Sequence, residues 1–258
     1  MPQTVQSADG TTIAYEKTGS GPALIVVGGA FSTRQSAGEI ASLLAAHFTV
    51  YAYDRRGRGD STDTKPYATQ REVEDLAALI EAAGGSAMVY GHSSGAVLAL
   101  EAAASGLSIT KVAAHEPPFT AEDSGSASLA GWGESVQAAV DAGDRERAAM
   151  LFIQGTGADP AMVAGMTQLP WWPGMLAIAH TLPYDVALVG DGLVPTERLK
   201  KIAAPTLLIH GGDSPPWAGK AASVAAGAIP GARQITLEGQ DHNVDAAAIA
   251  PALIEFFG

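Results

Sequence analysis

The chemistry-bearing residues most tightly grouped in the chain are Gly91-His92-Ser93-Ser94-Gly95, set between a short apolar run and an alanine-rich stretch that starts near Ala96. A G-x-S-x-G pentad between strand and helix is the pattern of a nucleophile elbow. So tight a turn pushes the Ser93 hydroxyl clear of the sheet. Glycines at 91 and 95 leave space where a side chain would meet the neighbouring strand or helix. The helix that follows aims its N-terminus and the Ser94 N–H at the point where negative charge would develop. A glycine-rich turn without chemistry is the plain alternative, and five residues do not decide between them. A serine hydroxyl also needs a positioned base to take its proton, and the six histidines are the candidates.

The elements that would position such a group must come from a chain of 258 residues, enough for one domain with a large core or one with an inserted lobe. Apolar residues make up 47%, yet no run is long or pure enough to span a membrane. The start, MPQTVQSADG, lacks a basic segment followed by an apolar stretch, so no signal peptide is expected. With no cysteine there are no disulfides, redox thiols or thiolate metal sites, which fits a cytoplasmic protein. A formal charge of −12 argues against nucleic acid or an anionic membrane as partner.

Taken in order, residues 4–7 and 11–17 read as two strands joined at Ala8-Asp9-Gly10, where Asp-Gly signals a hairpin. Ala23-Leu24-Ile25-Val26-Val27 is continuously apolar, as suits a parallel strand covered on both faces, and ends in Gly28-Gly29-Ala30-Phe31. A helix over 33–46 and a strand over 48–53 follow, closing on Asp54-Arg55-Arg56-Gly57-Arg58-Gly59-Asp60-Ser61. An amphipathic helix over 69–83 carries Val73, Leu76, Leu79 and Ile80 on one face and ends at Gly84-Gly85. After the elbow and its helix over 96–105, a strand over 110–116 stops at Pro117-Pro118. Residues 119–200 change character: helices over 129–142, 144–154, 160–168 and 173–180 and no strand, with Asp159-Pro160 as a capped helix start. The strand pattern resumes at Pro205-Thr206-Leu207-Leu208-Ile209-His210-Gly211. A helix over 217–228, a strand over 233–237 and a closing helix over 246–256 complete the chain. Such alternation implies a mostly parallel sheet of eight strands with helices on both faces.

In this order the motifs resemble those of an alpha/beta-hydrolase over nearly the whole chain. They are the strand ending Gly28-Gly29-Ala30-Phe31, the loop from Asp54 to Ser61, the elbow, a helical insertion after the sixth strand, the strand ending His210-Gly211, and His242 after the last strand. The resemblance implies a core of residues 1–118 and 201–258 with a helical lid, 119–200, inserted after the sixth strand. It makes Ser93 the nucleophile and His242 the base. The oxyanion hole would use the backbone N–H of Ser94 and, from the loop after the third strand, of Ala30, with Gly29 as fallback. The remaining histidines are read as structural. None has a partner at metal-ligand spacing, so no metal is expected, and the resemblance implies no cofactor.

The acid behind His242 departs from the commonest family pattern. Its usual place, a few residues after Gly211, holds Ser214; Asp213 comes one residue early, and Pro215-Pro216 stiffens the turn. Glu116 closes the sixth strand, which in this fold neighbours the seventh, and a minority branch that includes lactone hydrolases carries a Glu there. A buried strand-end carboxylate without a cation also needs a partner. Glu116 is therefore assigned as the acid and Asp213 is its competitor. Residues 54–61 are read as structural support beneath the elbow.

The resulting expectation is a serine hydrolase for a carboxylic ester or lactone. A carbon–carbon bond hydrolase or cyclase on the same residues, or a non-catalytic ligand-binding member of the fold, are the alternatives. Trp132, Trp171 and Trp172 in the lid, with Phe31 and Trp217 on rim loops, are the candidate lining of an apolar pocket for a small hydrophobic substrate.

Overall fold

The computed structural model describes residues 2–121 and 126–258. In chain order its elements are β1 (Gln3–Gln6), β2 (Thr12–Gly19), β3 (Ala23–Val27), α1 (Gly38–Leu44), β4 (Thr49–Tyr53), α2 (Thr69–Ala82), β5 (Ala87–His92), α3 (Ser94–Ala104) and β6 (Ile109–His115). Then come α4 (Ser126–Asp141), α5 (Arg145–Gly155), α6 (Pro160–Met166), α7 (Trp172–Ile178), α8 (Leu182–Val189) and α9 (Thr196–Leu199). The chain closes with β7 (Thr206–Gly211), α10 (Pro216–Ala228), β8 (Arg233–Leu237) and α11 (Ala246–Phe257).

The strands form one eight-stranded sheet in the order β1-β2-β4-β3-β5-β6-β7-β8, in which β2 alone runs against its neighbours. Continuous apolar strands follow from burial on both faces. Ile25 and Val27 pack with Leu76 and Leu79 of α2 and Leu98 of α3. Leu24 and Val26 point the other way, onto Ile40 and Leu44 of α1 and Leu253 of α11. All four apolar positions expected on the inner face of α2 are buried, but so are Glu72 and Asp75 beside them.

Strand order reverses between β3 and β5. The chain leaves β3 toward β4 on one side and returns to β5 on the other, so the loops at their C-terminal ends diverge and leave a crevice. The loop after β3, Ser93 after β5 and Glu116 after β6 all lie at that rim.

Between β6 and β7 the regular structure of the described residues is helical apart from one parallel bridge, Thr120 with Leu193. Asp159 caps α6, accepting from the N–H groups of Ala161 and Met162. Two helices beyond those expected appear here, α8 and α9. The inserted helices have their own apolar cluster, built on Val136, Phe152, Trp172 and Leu182. Among the described residues no helix is long and apolar enough to cross a membrane.

Candidate active site

Ser93 has φ +56° and ψ −127°, a conformation that side-chain-bearing residues rarely hold. The glycines on either side explain how it is reached. A Cβ on Gly91 would lie 2.3 Å from the Gly95 carbonyl oxygen, and one on Gly95 would lie 2.3 Å from that of Val27. Only a bare backbone fits at both positions, so α3 starts directly over β3 and β5. Among the described non-glycine residues only Phe31, Ser93 and Glu116 have positive φ, at 59°, 56° and 45°. They sit on three different loops of one rim, and such strain persists where surrounding structure over-determines it, most often at sites of function.

Glu116 follows β6 directly, and its N–H donates to the Ile209 carbonyl on the neighbouring β7 at 3.0 Å. Its side chain is buried and its Oε2 lies 2.7 Å from His242 Nδ1. The other oxygen, Oε1, accepts from the Gly211 N–H at 2.8 Å and from the Ser214 hydroxyl at 2.5 Å. Burial pushes this carboxyl up, but the bonds from His242, Gly211 and Ser214 outweigh it and bring it down to about 2. Glu116 is therefore ionised and holds a proton on His242 Nδ1, leaving Nε2 as the free acceptor. Asp213 is exposed and its side chain bonds to none of the described residues; only its backbone is engaged, with Gln240. Of the two carboxylates considered from sequence, Glu116 is the one that reaches His242.

Three imidazoles pack together at the elbow, with the His115 and His242 centroids 6.4 Å apart. His92 stacks on His115 with ring centroids 5.1 Å apart and meets His242 at 4.9 Å, its Nε2 donating to the His242 carbonyl. Burial and the neighbouring ring hold His92 down to about 4 and His115 to about 3. Both are neutral spacers. Neither ring nitrogen of His115 has a partner among the described residues.

The loop after β3 presses on the nucleophile. A Cβ on Gly29 would come within 2.8 Å of the Ser93 Cβ. Ser32 N–H donates back to the Gly29 carbonyl at 3.3 Å, closing a turn through Ala30 and the strained Phe31. The N–H groups of Ala30 and Ser94 donate to nothing else among the described residues, as donors awaiting an anion would.

Below this loop the arginines of residues 54–61 are buried and fully paired. Arg55 forks onto Glu72 at 2.6 and 2.7 Å and also donates to Asp185 at 2.7 Å. Arg56 binds Asp75 and Asp9, and Arg34 binds Asp54, Asp60 and Glu16. Arg58 donates to the Gly29 carbonyl at 2.6 Å and to Asp185 at 2.7 Å. Asp185 belongs to α8, so this knot also fastens the inserted helices to the rim. Beside it Tyr184 stacks on Tyr67 with centroids 4.0 Å apart.

The aromatic residues expected around a pocket part company. Ala30 and Phe31 pack against the inserted helices' apolar cluster together with Trp132, and Phe31 meets Phe152 edge-on at 5.5 Å. Trp172 is buried inside that cluster, 3% exposed, whereas Trp171 is 47% exposed. Trp217, half-buried at the start of α10, is not part of the cluster. A separate open cavity of about 370 Å³, lined by Gly28, Ser32, His92, Asn243 and Val244 among others, lies beside the same loop.

The alpha/beta hydrolase family model matches residues 23–252, nine-tenths of the chain and every element that builds this rim. The chain is a member of that family. A crystal structure of an alpha/beta hydrolase from Sphaerobacter thermophilus is 53% identical, covers 99% of this chain and 100% of its own, and has a TM-score of 0.94. An uncharacterized hydrolase of Bacillus subtilis is 33% identical over 96 residues, 36% of this chain and 35% of the relative, so that match spans about a third of either protein. The enol-lactonase of Burkholderia xenovorans, at 20% identity with 99% of each chain covered and a TM-score of 0.70, shares the fold.

Two residues of this hydrolase's site lay outside the sequence reading. Ser214 was visible only as the place where an acid was missing. Asp185 was hidden in an apolar helix, although Thr181-Leu182-Pro183 before it carries the proline that favours a helix start.

Proposed function

We propose that this alpha/beta hydrolase cleaves a carboxylic ester or lactone of a small hydrophobic substrate through an acyl-enzyme on Ser93. The observation that carries the reading is the 2.7 Å contact of His242 Nδ1 with the buried Glu116 carboxylate, on the rim where Ser93 stands in its strained turn. In the first step Ser93 Oγ attacks the substrate carbonyl while His242 Nε2 takes its proton. Glu116 stabilises the imidazolium that forms, and the N–H groups of Ala30 and Ser94 bind the oxyanion. The intermediate collapses as His242 protonates the leaving alkoxide. Water, deprotonated by the same nitrogen, then releases the acid and restores Ser93.

A substrate with apolar groups is supported by the packing of Phe31 and Ala30 against the inserted helices. In this reading those helices form a lid over the site, with Phe31 and Trp132 nearest the acyl group. A lactone is favoured alongside open-chain esters because its ring opening uses the same steps, and the enol-lactonase shares this fold. The test is hydrolysis of short and medium acyl aryl esters and a lactone panel, with labelling by a serine-directed phosphonate. Loss of both turnover and label in Ser93→Ala is the expected result. A wild-type protein that hydrolyses nothing and takes no label on Ser93 would overturn the proposal in favour of a ligand-binding role.

A further inference from the structure

One carboxylate in the inserted helices touches the supports of both candidate oxyanion donors. Asp185 Oδ1 accepts from the Ser94 hydroxyl at 2.7 Å, and Oδ2 accepts from Arg58 at 2.7 Å. Arg58 in turn donates through Nη1 to the Gly29 carbonyl at 2.6 Å. That carbonyl and the Ala30 N–H belong to one peptide group. A cationic donor on the oxygen draws charge out of the amide and makes its N–H a stronger donor, besides fixing the plane in which it points. The competing Gly28 carbonyl, whose peptide carries the Gly29 N–H, receives only a 3.5 Å contact from Arg55. This difference singles out Ala30 as the polarised donor.

We propose that Arg58 and Asp185 are positioning residues for the oxyanion hole, Arg58 orienting and polarising the Gly29–Ala30 peptide and Asp185 holding Arg58 and Ser94 in register from the inserted helices. Neither side chain touches the reacting atoms; both are buried to within 1% of complete, beneath the loop. Thr181, just ahead of α8, completes the clamp by accepting from Arg58 Nε at 3.1 Å. The arrangement makes the docking of α8 a condition for a competent site. The inserted helices thereby contribute to the chemical step as well as to any substrate contact. The inference rests on the serine hydrolase reading above.

The test compares wild type with Arg58→Lys, Asp185→Asn and the milder Thr181→Val, which removes the hydroxyl's bonds with Arg58 and with the Ile178 carbonyl but no charge. Folded sites are counted by the final stoichiometry of phosphonate labelling, and kcat is expressed per labelled site. Arg58→Lys and Asp185→Asn are expected to lose about 10-fold to 100-fold in kcat with KM little changed, since lost oxyanion stabilisation acts on the transition state alone. An aryl boronic acid, which forms a tetrahedral adduct on Ser93, should lose affinity by the same factor. Thr181→Val should lose about 2-fold to 5-fold in both, as a single 3.1 Å bond from the Arg58 guanidinium allows, and it serves where the charge variants yield no labelled sites. The Ala30 amide nitrogen resonance should also move upfield in Arg58→Lys. Unchanged kcat per site, boronate affinity and Ala30 resonance would overturn the inference and leave Arg58 a purely structural group. Failure of the wild type itself to label or turn over would sink the hydrolase reading instead, and the Ala30 resonance would still report the Arg58 contact.

Discussion

Two buried polar clusters lie within one rim of the sheet and are built on opposite terms. In the arginine knot every guanidinium meets a carboxylate, Arg55 with Glu72 and Asp185, Arg56 with Asp75 and Asp9, Arg58 with Asp185. At Glu116 the carboxylate meets no arginine or lysine among the described residues. It is held by a backbone N–H, a hydroxyl and an imidazole whose side chain is 36% exposed. A saturated charge network is stiff, because removing either partner strands a buried ion. A carboxylate satisfied by weak donors can instead stabilise a proton that arrives nearby. The first cluster holds a shape; the second has somewhere to put a charge.

The comparison can be broken at several points. Ser93→Ala should remove about 10⁵-fold or more of kcat, as loss of a nucleophile does, without disturbing either cluster; stopped assays with a sensitive ester measure it. Glu116→Gln should cost about 10³-fold to 10⁴-fold while the fold survives, because glutamine keeps the shape and loses the charge. If Asp213→Asn instead shows that loss, the roles assigned to the two acids are reversed; it should change kcat by less than about twofold, as an exposed residue does. Glu72→Ala should act the opposite way, with stability falling by about 3–5 kcal/mol as Arg55 loses its main partner. Chemical denaturation would detect this, and kcat per labelled site should stay within a few-fold of wild type.

The mildest expected effect is on pH. His92 and His115 bind protons in the fold only near pH 4 and pH 3. The unfolded chain protonates them near pH 6.5. Below that value it therefore binds more protons than the native state, and stability falls with pH down to the native values. Glu116 adds a further loss between its ordinary 4.5 and about 2. His115→Leu removes a ring whose nitrogens have no partners among the described residues, and should narrow the gap in melting temperature between pH 7.5 and pH 5, read by calorimetry.

How much of this could be read without coordinates depended on whether a residue's partners were local. The elbow was legible because Gly91 is needed by a contact within one strand-turn-helix unit, and Gly95, which faces Val27 on β3, falls in the same five-residue pattern. Glu116 could be reached through topology, since β6 and β7 are neighbours, but its positive φ has no signature in residue type. α8 was missed because its Leu182–Val189 stretch is buried around most of its surface, so it lacks the 3.6-residue alternation that marks a half-exposed helix. Asp185 was invisible for the same reason, and its partners Arg55 and Arg58 are 130 and 127 positions away. Trp171 and Trp172, adjacent and identical in type, have opposite burial, which only the packing of α7 against its neighbours decides.

Ser214 has a consequence for reading related sequences. Its hydroxyl and the Gly211 N–H both donate to a single oxygen of Glu116. A carboxylate introduced at 214 would take away one of those donors and confront Glu116 across the same imidazole, two anions competing for one proton. A neutral hydroxyl at 214 therefore suits an acid at 116, because a second carboxylate beside it would be driven to take up a proton. A small hydroxyl residue where an acid is customary is then a signpost, directing the search to the end of the strand next door.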